Sequence, residues 1–141
     1  MLGAEFPGTA VADMTAEQDF PVASPDYSDL VVEHFDRPRN AGELPPGPGI
    51  RRTHSGNRAA GAEVSLSVRI AGSEVAEVRF QAFGCPHFLA AASLATERLP
   101  GLPIAALAVW TARELGRDLR VPVEKRGRLL ILEDAVRAAA Q

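Results

Sequence analysis

The sequence predicts an α+β domain: a three-stranded antiparallel sheet with helices packed on one face. Three observations predict it. Val64, Leu66, Val68 and Ile70 alternate with Ser65, Ser67 and Arg69, and Val78, Phe80 and Ala82 alternate with Arg79 and Gln81. That is the period of strands with one buried and one wet face. Ala71-Gly72-Ser73 lies between them and supplies the turn of a hairpin. After Phe83-Gly84 the alternation stops and Ala- and Leu-rich runs take over, so sheet precedes helices, an order that gathers the helices on one sheet face.

Taken in order, residues 1–23 mix Gly, Pro, Ala and acids without periodicity and read as a flexible acidic tail ahead of a single domain over 24–141. Ser24-Pro25-Asp26 resembles a helix start, with Pro in the first turn and an acid favoured by the dipole. Tyr27, Leu30, Val31, His34 and Phe35 then form a one-sided apolar stripe. Pro38 ends that helix by excluding the residue before it from the α region. Gly42 to Gly49, with three prolines, is a loop, and Ile50–His54 is the third, weaker strand. Beyond the hairpin, Pro86 stands where a first helical residue belongs, and Phe88–Leu99 is a helix closed by Pro100-Gly101. Ile104–Val109 and Ala112–Leu119 form a helical pair, and Leu129–Ala140 a final helix without Gly or Pro.

Composition narrows the classes of function. Hydrophobic residues make up 46% and charged residues 23%, enough for a core, while the aromatic share of 6% leaves packing to aliphatic and Ala side chains. Apolar runs are too short for a membrane span of about 20 residues, and no basic stretch marks a secretory signal, so a cytoplasmic protein is expected. The single Cys excludes an internal disulfide, and also a metal site built only from cysteines of one chain. Glu5, Asp13, Glu17, Asp19 and Asp26 face no Lys or Arg in residues 1–26, which leaves the rest slightly basic, with Arg113 to Arg128 the densest cationic stretch. Such a stretch reads first as a solvated surface, with an acidic protein partner as the alternative. A nucleic-acid binder is usually far more basic, so nucleic acid is not expected.

Cys85 has the most informative setting. It follows a strand and Gly84 and precedes Pro86 at a helix start, where free N–H groups favour a thiolate. The plain alternative is a small residue filling space at a tight turn. His87 stands two positions on and could share a metal with it. His34, on the apolar stripe, reads as a packed or hydrogen-bonded core residue, and His54 as an exposed one. Glu63 is a possible carboxylate ligand, while Asp134 belongs to a solvated helix face. No phosphate-binding loop and no G-x-S-x-G elbow occurs, and no acid–base pair stands out in the sequence.

Beyond that point the residues resemble a known family. Tyr27, His34-Phe35 and Pro38-Arg39-Asn40-Ala41-Gly42 are similar to the opening of the IscU/NifU N-terminal family of iron–sulfur cluster assembly scaffolds. Ala59-Ala60-Gly61-Ala62 falls where that family has A-C-G-D, and Phe80 to Cys85 resembles its F-x-x-[YF]-G-C. Glu133-Asp134-Ala135-Val136-Arg137-Ala138-Ala139 is similar to its closing helix. The resemblance covers nearly everything from Tyr27 to Ala140 and implies that family's fold.

It also implies a site. The family holds a nascent cluster with three Cys, assisted by an Asp and a His. Matched residue by residue, Cys85 is retained, whereas Ala60 and Arg128 replace the other two Cys, Ala62 the Asp and Gly127 the His. The L-P-P-V-K segment read by a chaperone corresponds to Val121, Pro122, Val123, Glu124 and Lys125. An iron–sulfur cluster needs about four protein ligands, usually thiolates, which Ala, Gly and Arg do not supply. The expected protein is therefore a non-enzymatic, degenerate scaffold that acts through partners, a cysteine desulfurase or other cluster-assembly or sulfur-metabolism proteins. Two alternatives stand beside it. One is a working scaffold with unusual or dimer-shared ligation of a cluster, iron or zinc by Cys85 and His87. The other is a thiol sulfur acceptor through Cys85.

Overall fold

The computed structural model describes residues 27–141. The acidic tail and the start signal at Ser24-Pro25-Asp26 lie outside them. The first helix, α1, spans Asp29–Asp36. Its cap is Ser28, whose Oγ accepts the Val31 N–H at 3.2 Å and donates to the Leu119 carbonyl at 2.7 Å. One hydroxyl thus ends the helix and pins it to the C-terminal half of the chain. Val31 and His34 are buried, whereas Phe35, counted in the apolar stripe, is 44% exposed because α1 packs chiefly on one neighbour, the helix that follows the sheet.

Beyond Pro38 the chain takes a left-handed step at Asn40 (φ 57°) and runs briefly beside Phe80. The Gly42 N–H donates to the Phe80 carbonyl at 2.8 Å, and the Phe80 N–H to the Asn40 carbonyl at 3.1 Å. The sheet itself has three strands: β1 (Ile50–Asn57), β2 (Ala62–Ala71) and β3 (Glu74–Phe83), antiparallel and in sequence order. Register pairs His54 with Ser65 and Ser65 with Gln81, and a bulge interrupts the β2–β3 ladder between Arg69 and Ile70. All three strands outrun the alternating segments that predict them, because ladder hydrogen bonds continue where the hydrophobic pattern has already lapsed.

Val64, Leu66, Val68, Val78 and Phe80 form the inner face. Against it lie α2 (Pro86–Arg98), with Ala90, Ala91, Leu94 and Ala95, and α5 (Leu129–Ala138), with Leu132, Ala135 and Val136. Two short helices, α3 (Ile104–Leu107) and α4 (Arg113–Asp118), complete that layer, each shorter than its sequence run. The outer face departs from the simple pattern at one place. Leu44 folds over it, its N–H donating to Ser67 Oγ at 2.9 Å, so Ser67 is buried although the alternation assigns it to solvent. Two 3₁₀ turns, Arg58–Ala60 and Val123–Arg128, carry no periodic signal and are absent from the sequence reading. Among the described residues no helix is long and apolar enough to cross a membrane.

Candidate functional site

Cys85 is the N-cap of α2, extended at φ −74° and ψ 166°, with Pro86 in the first turn and no hydrogen bond from its own side chain to the helix. Gly84 before it permits a close approach: a Cβ there would come within 2.9 Å of the Phe88 ring. The thiol is partly exposed and packs at the edge of the core. His87 is buried, its ring centroid 4.9 Å from that of Tyr27.

The hairpin carries the rest of the site to the same end of the sheet. Glu63 pairs with Phe83, and the two strands run on from there toward Gly61 and Cys85. Asn57 caps the turn before β2, its Oδ1 accepting the Ala60 N–H at 2.8 Å. Gly61 then reverses the chain at φ 86°, a left-handed conformation that costs a side chain about 1 kcal/mol. Over that glycine lies the guanidinium of Arg128, since a Cβ on Gly61 would stand 3.5 Å from Arg128 Cζ and Nη2. Arg128 thus meets Gly61, the residue after Ala60, although the two lie far apart in sequence, at the Cys85 end of the sheet. Ala62 is wholly buried at the start of β2, and Gly127 is exposed, with nothing within 4 Å of where a Cβ would stand.

The electrostatics of this end are cationic. Arg58 lies over the Phe83 ring, 4.6 Å from its centroid, and its Nε is 3.6 Å from Glu63. Two of the residues matched to family ligands are methyl side chains, one is bare backbone and one carries a guanidinium. Iron placed beside Arg128 would meet a fixed like charge. Among the described residues no group of three or more His, Cys, Asp or Glu is arranged to hold a metal ion. The residues present do not fit an iron–sulfur cluster held in the family's manner.

The segment matched to the chaperone motif opens the second 3₁₀ turn. Val121 is buried in the core, Pro122 and Lys125 are half-buried, and Val123 is 78% exposed, so Val123 is its most available apolar group. His34 is a core residue: its Nδ1 is 2.8 Å from Ser93 Oγ and its Nε2 3.5 Å from Glu97. Burial pushes its pKa below the ordinary 6.5, the Arg39 charge adds to this and Glu97 opposes it. Glu63, read as a possible ligand, points instead to the outer sheet face, where it meets His54 at 3.3 Å. Neither that contact nor the 2.9 Å approach of His54 to Ser65 has a local signal in the sequence. Only the register of β1 against β2 reveals them, and the sequence signal for β1 is weak.

This architecture, a three-stranded sheet backed by helices, is shared with known proteins. The NifU-like N terminal domain model matches residues 26–141. Iron-sulfur cluster assembly enzyme IscU of Drosophila melanogaster is 32% identical over 128 residues, covering 86% of this chain and 79% of that protein. Iron-sulfur cluster assembly scaffold protein IscU of Azotobacter vinelandii is 29% identical, covering 82% and 91%. Among solved structures, a putative iron-sulfur cluster assembly scaffold protein for the SUF system from Fervidobacterium islandicum superposes with a TM-score of 0.63 at 16% identity, covering 82% of this chain and 96% of that one. The chain belongs to the NifU-like N-terminal domain family, the family of IscU-type iron–sulfur cluster assembly proteins.

Proposed function

We propose that this chain serves iron–sulfur cluster assembly in the cytoplasm as a degenerate scaffold, acting through protein partners and not by enclosing a cluster at the family's site. The observation that carries the reading is the donor set at the hairpin end. Of the positions matched to family ligands, Cys85 alone retains a donor, and the Arg128 guanidinium lies against Gly61 beside Ala60. Tetrahedral iron needs about four ligands, and one thiolate beside a fixed cation falls far short. Partner contact then rests on surfaces the fold still presents, among them exposed Val123 with Lys125, and a cysteine desulfurase is the expected partner.

Aerobic and anaerobic purification followed by reconstitution with iron and sulfide tests this reading. Wild type should stay colourless, whereas the double variant A60C/R128C, which restores two thiolates beside Cys85 and removes the cation, should develop charge-transfer absorbance. Equal loading of both proteins would replace the degenerate scaffold with one using other or dimer-shared ligands.

One observation favours a second reading, sulfur acceptance by Cys85: its partly exposed side chain makes no capping hydrogen bond that would occupy it. The Cys85 thiolate would attack the outer sulfur of a desulfurase persulfide, forming its own persulfide and releasing the desulfurase thiolate. A gain of one sulfur atom on Cys85 in intact-mass spectra, after mixing with a desulfurase and cysteine, marks that role; an unchanged mass removes it.

A further inference from the structure

We propose that the outer face of the sheet carries a second site, in which Ser65 is a nucleophile able to take an acyl group from small activated esters. The site lies on the opposite face of the sheet from the packed helices and uses neither Cys85 nor Arg128, so it stands or falls apart from the scaffold reading.

The register assembles it. His54 on β1, Ser65 on β2 and Gln81 on β3 stand in one row across the sheet, all on the outer face. His54 Nδ1 is 2.9 Å from Ser65 Oγ, and His54 Nε2 is 3.3 Å from Glu63 Oε2. The other Glu63 oxygen is 3.6 Å from Arg58 Nε, an ion pair at the rim of the same face. Nucleophile, base and orienting carboxylate are therefore within reach of one another, the arrangement that activates a hydroxyl. With the proton on Nε2, the nitrogen nearer the Glu63 carboxylate, the Nδ1 lone pair faces the serine.

Two depressions open on either side of this row. One, of about 270 Å³, is lined by Arg52, His54, Ser65 and Gln81 among others, and the second, of about 160 Å³, by Arg58, Glu63, Ser65, Gln81 and Phe83. Ser65 and Gln81 border both. Volumes near or below the lower end for small-molecule sites restrict the acyl group to short chains. Gln81 brings a carboxamide to the flank of Ser65 opposite His54, where an N–H donor is useful to a developing oxyanion.

The chemistry balances without a cofactor. Ser65 Oγ attacks the ester carbonyl carbon while its proton passes to His54 Nδ1. The C–O bond to the alcohol then breaks, and the alcohol leaves with that proton. Water, deprotonated by the same nitrogen, cleaves the acyl-serine and restores the hydroxyl. His54 is 53% exposed on its side chain, so its expected contribution is at the lower end for a general base, about 100-fold.

The test is labelling of the full chain with p-nitrophenyl acetate and with a fluorophosphonate probe, the modified residue being located by peptide mass spectrometry. Modification of Ser65, abolished in Ser65→Ala and slowed about 100-fold in His54→Ala, is the expected result. Glu63→Gln should slow labelling less and change its pH profile, because the amide still accepts a hydrogen bond but lacks the charge that favours the imidazolium. Circular dichroism of each variant confirms that the outward-facing substitutions leave the sheet intact. Acetyl found on His54 itself, labelling that ignores His54→Ala, or no labelling with the fold intact would each overturn the proposal and leave the row a cross-strand hydrogen-bond pair.

Discussion

The α1–α2 junction and the Cys85 end of the sheet resemble the same family to very different degrees, and their hydrogen bonding differs in the same sense. At the junction, Ser93 Oγ lies 2.8 Å from His34 Nδ1 and accepts the Arg39 N–H at 2.7 Å. Asn40 Nδ2 donates to Thr96 Oγ1 at 3.0 Å, and that hydroxyl is 2.7 Å from the Ser93 carbonyl. Arg39 reaches Glu33 at 2.7 Å and Glu97 at 3.5 Å. Its hydrogen bond, followed by that of Arg37, holds the Glu33 carboxyl below its ordinary value. His34, Pro38, Arg39 and Asn40 match the family's opening motif, and most of them bond to one another or to α2 across the fold. At the other end stand Ala60, Ala62, Gly127 and Arg128, which the resemblance matches to the family's ligands, and among the described residues their side chains make no hydrogen bond or ion pair. The difference teaches where the two kinds of residue are held. Loss of a network member leaves buried polar groups unpaired and costs stability, whereas loss of a ligand costs only the cluster.

The comparison breaks most visibly at Ala62. This position, matched to a family Asp, is now wholly buried, so Ala62→Asp forces a carboxylate into the core. It should lower the free energy of unfolding by about 3 kcal/mol in urea titrations. Little change would mean that the pocket still accepts an acid, and that the site is depleted without having been repacked.

Ser93→Ala tests the other end, where the hydroxyl serves the buried His34 ring and the half-buried Arg39 N–H. The expected loss is about 2 kcal/mol, read from the urea midpoint at unchanged m-value. A loss no larger than that of an exposed serine would show that water replaces the network, and would dissolve the contrast.

Gly61→Ala probes the turn beneath Arg128. The left-handed φ of 86° should cost about 1 kcal/mol, while the 3.5 Å approach to the guanidinium is ordinary contact and adds little.

The pH dependence sharpens the same comparison at a smaller scale. His34 has a folded pKa below its ordinary 6.5, so the folded state binds fewer protons than the unfolded state in that window. Stability is full above that value and falls as the pH drops through it toward the folded pKa. In His34→Gln the slope of stability against pH just below 6.5 should flatten; an unchanged slope would assign it to other groups.

Cys85→Ser should have the smallest effect, under about 1 kcal/mol, because the thiol caps a helix without a hydrogen bond and is partly exposed. A steep fall in the thermal midpoint would make Cys85 a packing residue.

Much of the fold was legible because its signals are local. Alternation over 64–70 and 78–82 locates the hairpin, Pro86 and Pro100 bracket α2, and the uninterrupted run after Arg128 is α5. The order of those elements also placed Cys85 at a strand-to-helix junction. Each of these depends on residues within one or two turns of each other, where periodicity and capping act.

Only the tertiary structure decided the rest, since the deciding contacts join residues far apart in the chain. Ser28 caps α1 by accepting the Val31 N–H and is also tied to the Leu119 carbonyl, a partner that no local pattern reveals. Ser67 left the solvent because Leu44 crosses the sheet above it. Arg128 came to rest on Gly61, and His54 between Ser65 and Glu63, through the packing of α5 and the register of β1, neither of which is written in local pattern. Local sequence chooses each element by the backbone entropy and one-sided burial it favours; which side chains then face one another is settled by how the sheet and helices close a common core.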